Sequence, residues 1–171
     1  MYVLTRFPSR DTVPRMNVRT ALLSALAVLA AACAPLLIPG TEIRSTPDTR
    51  AVYEVVAKYR EALEKRDVPG ILALVAPSYY DTAGTPDPSD DLDRARLEAS
   101  LNQEFAKTDS VKVAFTMRRI DVNGPDAVAE IFFDTFYRVK TPTTPVPRRD
   151  SDVQRLGLKK IDGQWKFVSG L

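Results

Sequence analysis

The chain of 171 residues contains no histidine and only one cysteine. The missing histidine excludes a histidine general base and every metal site that needs an imidazole ligand. A single cysteine excludes an intramolecular disulfide bond and a metal site built from several thiolates. The sequence also has no glycine-rich phosphate loop, serine nucleophile motif or metal-binding motif. It therefore predicts no metal and no cofactor.

The chain also lacks a strong charge of either sign, since 24 basic residues stand against 22 acidic ones. Residues 1–32 are the exception, because they hold several arginines and a single acidic residue, Asp11. The rest of the chain is close to neutral. Binding to nucleic acid requires a basic face, so we expect no nucleic acid partner.

An apolar run, ALLSALAVLAAA at residues 21–32, ends beside the only cysteine, Cys33. A basic start, an apolar stretch of this length and small residues before a cut site are typical of a secretory signal. The segment resembles a bacterial lipoprotein signal peptide, in which the cysteine receives a diacylglyceryl group and becomes the mature N-terminus. The resemblance implies that residues 1–32 are removed and that Cys33 is the lipid attachment site.

Two alternatives stay open for this segment, namely a membrane anchor that is not cleaved and a simple cleaved signal. All three interpretations place the domain outside the cytoplasm. Met16 offers a second start, which would put residues 1–15 upstream of the true start. Ala34 stands where the inner-membrane retention signal has Asp, so the resemblance implies the outer membrane, facing the periplasm. Residues 33–47 are rich in proline and are predicted to be the lipidated N-terminus and a tether.

The rest of the chain begins with helical patterns. Apolar residues recur with helical spacing from Asp48 to Arg66, and a short second helix is predicted around residues 71–75. A third helix is predicted at about Asp91–Lys107, with Ser89 or Asp90 as its N-cap.

After the third helix the apolar spacing changes to two, which is typical of strands. Strands are predicted at residues 111–118, 127–140, 153–161 and 164–170. NGPD at residues 123–126 and DG at 162–163 predict turns, and a proline-rich hairpin loop is predicted over residues 141–150. Helices followed by an antiparallel meander predict an α+β fold.

Two segments, YREALEKRDVPGILALVAPSYYD and LGLKKIDGQWKFVSGL, resemble the nuclear transport factor 2-like superfamily, which includes SnoaL-like polyketide cyclases and ketosteroid isomerases. The resemblance implies that residues 48–171 form one such domain. In this domain N-terminal helices pack on a curved antiparallel sheet and form a cone-shaped pocket. The resemblance supports the fold more than a function, because this fold carries many activities.

An isomerase-type site would combine a carboxylate base with a tyrosine donor in an apolar pocket. The strands offer three carboxylates and the chain offers four tyrosines as candidates: Asp121, Glu130, Asp134, Tyr59, Tyr79, Tyr80 and Tyr137. Of these we single out Asp134, Tyr80 and Tyr137 as weak catalytic candidates. An acid on a strand is usually solvated, so no catalytic residue is assigned.

Aromatic residues supply the candidate pocket wall, namely Tyr59, Tyr80, Phe133, Tyr137 and Trp165. A group of arginines could bind an anionic ligand or remain solvated surface charges. These are Arg118, Arg119, Arg138, Arg148 and Arg149.

Three functions stay open. The missing histidine and the lack of an acid–base pair favour a membrane-anchored envelope lipoprotein with a non-catalytic domain. Its partners would be a small apolar ligand or an envelope protein, and its open sheet face could form a homodimer. The alternatives are an isomerase- or cyclase-type enzyme and an assembly component of envelope secretion machinery. A carboxylate buried beside a tyrosine hydroxyl in the pocket would favour the enzyme.

Overall fold

The structure, a computed structural model, describes residues 36–171. The signal segment and Cys33 lie outside these residues. The described part begins with three helices: α1 (Pro47–Lys65), α2 (Val68–Leu74) and α3 (Arg94–Lys107). A two-stranded sheet of β1 (Tyr80–Asp81) and β2 (Leu92–Asp93) comes between α2 and α3 in the chain. Within residues 36–171 no helix has the length and apolar character needed to cross a membrane.

The main sheet is an antiparallel meander of four strands: β3 (Thr108–Asn123), β4 (Asp126–Val139), β5 (Val146–Ile161) and β6 (Gln164–Ser169). β6 is short and pairs only with the last residues of β5. The ladder between β3 and β4 has a bulge at Arg118, and the ladder between β5 and β6 has another at Val168. Bulges bend strands and increase their twist, so the sheet curves around the helices. The predicted α+β fold is confirmed.

Helix α1 forms because its N-terminus is well capped and one of its faces is apolar. Thr46 and Thr49 build a capping box, in which each side chain accepts the backbone N–H of the other residue. Pro47 occupies the first helical turn, where a missing N–H costs nothing. Val52 and Val56 are fully buried against the sheet. The predicted apolar stripe therefore sets α1 on the concave side of the sheet.

Side chains of the main sheet alternate between two faces. The inner face packs against α1 and holds much of the core, including Met117, Ile131, Leu156, Leu158 and Phe167. The outer face carries charged residues together with half-exposed apolar ones. Exposed apolar side chains of the outer face are Val128, Phe136 and Val153.

Several element boundaries differ from the prediction: β3 is longer than the predicted residues 111–118, and α2 begins before residue 71. Helix α3 begins at Arg94, and its N-cap is Asp93 rather than Ser89 or Asp90. Strand β5 begins at Val146, so the loop predicted over residues 141–150 is shorter than expected. Pro147 is tolerated in β5 because β6 does not extend to this part of the strand, which leaves one side of β5 without a partner.

The described part of the predicted tether is folded. Leu37 bridges to Arg44 across a turn, and the N–H of Ile38 donates to the carbonyl oxygen of Ile43 at 2.9 Å. Ile38 and Ile43 are both buried in the hydrophobic core. The folded part of the chain therefore extends to the N-terminal side of the predicted domain start at Asp48.

Candidate functional site

A cavity of about 90 Å³ lies between α1 and the inner face of the main sheet. Helix α1 forms one wall and strands β3, β4 and β5 form the other. The lining residues are Val56, Tyr59, Arg60, Leu63, Val113, Phe115, Ile131, Phe133, Thr135 and Gln154. Most of this lining is apolar, and the cavity has a mouth to solvent. Such a cavity suits one end of a small apolar molecule, since drug-sized ligands occupy pockets of roughly 300–1,000 Å³.

Arg60 brings the only formal charge into this lining. Its guanidinium carbon lies 5.7 Å from the centre of the Phe115 ring, within range of a cation–π contact. Its Nε is buried and has no hydrogen-bond partner among the described residues. A buried polar atom without a partner costs free energy, and the Nε of Arg94 is in the same situation.

Tyr59 also lines this cavity. Its ring packs edge to face on Phe167, with the ring centres 5.4 Å apart. Burial raises the pKa of Tyr59 far above its ordinary value, and the nearby Tyr79 adds to the effect. The hydroxyl therefore stays neutral and can act as a hydrogen-bond donor, as can the side chains of Thr135 and Gln154.

No carboxylate belongs to the lining of this cavity. Glu64, one helical turn after Arg60, instead accepts the backbone N–H of Val113 at 3.0 Å and so covers the free edge of β3. No ion pair joins Arg60 to an acidic residue within residues 36–171. The cavity therefore combines a mostly apolar lining with one positive charge and several side chains that can donate hydrogen bonds.

The three carboxylates predicted as candidates, Asp121, Glu130 and Asp134, lie on the outer face of the sheet, away from the cavity. Asp134 forms a two-pronged ion pair with Arg149, whose Nε and Nη2 lie 2.8 and 2.7 Å from its two oxygens. This hydrogen-bonded pairing lowers the pKa of Asp134, the direction opposite to that expected of a general base buried in an apolar pocket. Asp121 pairs with Arg119 at 2.7 Å on the surface, and Glu130 stands opposite Arg119 in the ladder.

The candidate aromatic residues separate into two groups. Tyr59 and Phe133 line the cavity, whereas Tyr80, Tyr137 and Trp165 do not. Tyr80 is 52% exposed on β1. Its hydroxyl donates to Asp91, and this hydrogen bond raises its pKa.

Tyr137 and Trp165 have other positions on the main sheet. Tyr137 lies on the inner face of β4 beyond Thr135, towards the strand end. Trp165 is buried in the core, and its Nε1 donates to Asp48 at 3.3 Å. Tyr79 is likewise buried, and its hydroxyl bonds to Leu171.

The most informative residue of the cavity, Arg60, was missing from the sequence-based candidates. The signal was present, because Arg60 is four residues after Val56 and three before Leu63. It therefore occupies the same helical face as the apolar stripe, where a charged residue is unexpected. The predicted arginines do not line the cavity.

Comparison with protein-family models gives no match, and no curated protein matches the chain. Solved structures do match. The chain is similar to a proposed dehydratase of the nuclear transport factor 2-like family from Streptomyces avermitilis, with 19% identity, a TM-score of 0.61, and coverage of 73% of this chain and 95% of that one. It is also similar to a nuclear transport factor 2-like superfamily protein from Salmonella enterica, with 16% identity and a TM-score of 0.61. The match covers 73% of this chain and 90% of that one.

A third similar structure is a ketosteroid isomerase-like protein from Erwinia carotovora atroseptica, with 14% identity, a TM-score of 0.57, and coverage of 74% of this chain and 95% of that one. The likenesses show that the chain has the fold of the nuclear transport factor 2-like proteins. At these identities they show the fold alone, and this fold serves unrelated activities.

Proposed function

We propose that this chain is a lipid-anchored protein of the bacterial cell envelope whose domain binds a small, largely apolar molecule without transforming it. The observation that carries the binding role is the cavity between α1 and the sheet, which is walled by apolar side chains and is open at its mouth. The anchoring role rests on the resemblance of residues 1–33 to a lipoprotein signal.

The absence of a carboxylate from the cavity lining supports the non-catalytic role. An isomerase-type mechanism needs a base within hydrogen-bond reach of the substrate carbon acid, beside a donor that stabilises the oxyanion. Tyr59 could serve as the donor, but Asp134 lies on the other face of the sheet. The tyrosine that does bond to a carboxylate, Tyr80 with Asp91, lies at an exposed site outside the cavity.

Binding can be tested on the full chain in detergent, with benzene as a neutral apolar probe and with methyl resonances as the readout. We expect saturable shifts at Val56, Leu63 and Val113, which line the cavity. Phe133→Trp should abolish the shifts because the larger ring fills the cavity. The matched control is Phe132→Trp, which places the same ring on the outer face and should leave the shifts unchanged.

The anchor is tested on the same preparation. Mass spectrometry of the mature N-terminus should find a lipidated Cys33, and Cys33→Ser should lose the lipid and leave the membrane fraction. An unmodified Cys33 would overturn the anchor. Equal shifts in the Phe133→Trp and Phe132→Trp variants would overturn the cavity as the binding site.

A further inference from the structure

Arg60 is a cation for which the protein supplies no anion among its described residues. Its Nε is shielded from solvent and lacks a hydrogen-bond partner, while the guanidinium rests on the ring of Phe115. The acidic residue one turn away, Glu64, has one oxygen bonded to the N–H of Val113. A buried N–H group without an acceptor costs free energy, and an acceptor that arrives with the ligand would remove this cost.

The outer face of the same sheet shows what a completed arrangement looks like. Arg149 lies over the ring of Phe136, with its guanidinium carbon 4.8 Å from the ring centre. The edge of its guanidinium group binds both oxygens of Asp134. Arg60 and Phe115 repeat the first half of this arrangement on the inner face, and the carboxylate is the part that is missing.

We propose that the cavity binds a small monocarboxylate, with Arg60 as the residue that binds its acidic group. This inference rests on the proposed function, because it names the class of ligand that the same cavity takes. The planar guanidinium matches a carboxylate through two parallel hydrogen bonds. The neutral donors of Tyr59, Thr135 and Gln154 line the same space and can accommodate an anion without repelling it.

The size of the cavity limits the apolar part of this ligand. A dry cavity of about 150 Å³ can hold a benzene molecule, and the cavity here has about 90 Å³ plus an open mouth. A short branched chain fits this space, whereas a single aromatic ring would extend into the open mouth. A fused ring system as large as a steroid would remain mostly outside.

Two acidic residues of β5 stand on the inner face near the proposed site: Asp150 is opposite Thr135 in the ladder, and Asp152 is opposite Phe133. Asp152 lies two residues before Gln154 on the same face of β5. Its Oδ1 accepts the N–H of Val153 at 2.6 Å, and it forms no ion pair with Arg60. Since a nearby negative charge disfavours an incoming anion, Asp152→Asn should tighten the binding of a carboxylate.

The test compares benzoate with benzamide, a neutral molecule of the same shape, by titration calorimetry on the full chain. Benzoate should bind at least about tenfold more tightly, as expected for a charge-assisted, two-pronged contact. Arg60→Gln should reduce the ratio of the two affinities to about one, because only the carboxylate gains a charge-assisted contact from Arg60. The control is Arg149→Gln, which removes the stacked arginine of the outer face and should preserve the preference.

The comparison of the two ligands on the unaltered chain gives a result even if Arg60→Gln fails to fold. Equal affinities for benzoate and benzamide would overturn the carboxylate inference and leave the apolar binding role standing. A preference for benzoate that survives in a folded Arg60→Gln variant would remove Arg60 from the site. If neither molecule binds and benzene does not bind either, the proposed function fails as well.

Discussion

Arg60 and Arg149 are the same type of side chain in two different settings. Arg149 has its carboxylate, Asp134, and the hydrogen bonds between them raise its own pKa. Arg149 is exposed and Asp134 is partly covered, and an ion pair with an exposed partner contributes little to the free energy of unfolding. Arg60 is partly buried and lacks such a partner in the described structure. The more informative arginine is therefore the one whose partner is absent.

Gly170 is a position where backbone geometry alone dictates the residue. Its φ is +90°, its N–H donates to Asp81 at 2.8 Å, and a Cβ there would overlap the carbonyl oxygen of Arg155. Gly170→Ala should lower the free energy of unfolding by at least about 2 kcal/mol, because strain and overlap add. Urea denaturation measures this change.

Gly163 supplies the matched control for Gly170. Its φ is similar, at +78°, but a Cβ would meet nothing within 4 Å. Gly163→Ala should therefore cost only about 1 kcal/mol, the usual penalty of a left-handed conformation. Equal losses at the two positions would show that the close approach of Arg155 to Gly170 is not a constraint.

At the scale of elements, the sequence predicts those parts of the fold that carry their own local signals. Helix α1 has a capping box and an apolar stripe, and the turn at residues 162–163 has its DG pair. The start of β5 was missed because prolines indicate a loop, and only the short reach of β6 makes Pro147 acceptable. The outward position of Asp134 could not be fixed either, since Phe132 and Phe133 make both faces of β4 apolar.

Residues 36–46 are a second element that composition alone misrepresents. Their prolines and the absence of helical spacing of apolar residues suggest a tether. However, Ile38 is only 4% exposed, whereas Leu36 is 69% exposed. Ile38→Ala should lower the free energy of unfolding by about 2–4 kcal/mol, as expected when a buried aliphatic side chain is truncated.

The neighbouring Leu36→Ala removes a similar volume from an exposed site. It should change the free energy of unfolding by less than about 0.5 kcal/mol. Thermal or urea denaturation of the two variants decides between a tether and a packed element. If Ile38→Ala is as mild as Leu36→Ala, residues 36–46 do not belong to the folded core.

At the scale of the whole molecule, the half-buried Tyr59 and the buried Tyr79 connect elements that are far apart in the chain. Tyr59 joins α1 to β6 through its contact with Phe167. Tyr79 follows α2 and bonds through its hydroxyl to the N–H and the carbonyl oxygen of Leu171. Burial raises the pKa of both groups, that of Tyr79 to about 12. The stability of the domain should therefore depend on pH in alkaline solution.

The sign of this dependence follows from linkage. An unfolded tyrosine ionises near pH 10, whereas Tyr59 and Tyr79 stay protonated at that pH in the folded state. Their contribution to the free energy of unfolding is fully present below about pH 10. It is lost as the pH rises through their pKa values in the folded state. Urea unfolding at several pH values should show the free energy of unfolding falling by up to about 1.4 kcal/mol per pH unit for each tyrosine.

Tyr59→Phe separates this effect from the titration of other groups. The hydroxyl of Tyr59 has no hydrogen-bond partner among the described residues, so the variant should be close to the parent in stability at pH 7. Between pH 10 and 12 its free energy of unfolding should fall less steeply, because one fewer group is held protonated by folding. Identical slopes for the variant and the parent would mean that Tyr59 ionises as readily in the folded domain as in the unfolded chain, and the cavity would then be wetter than its lining indicates.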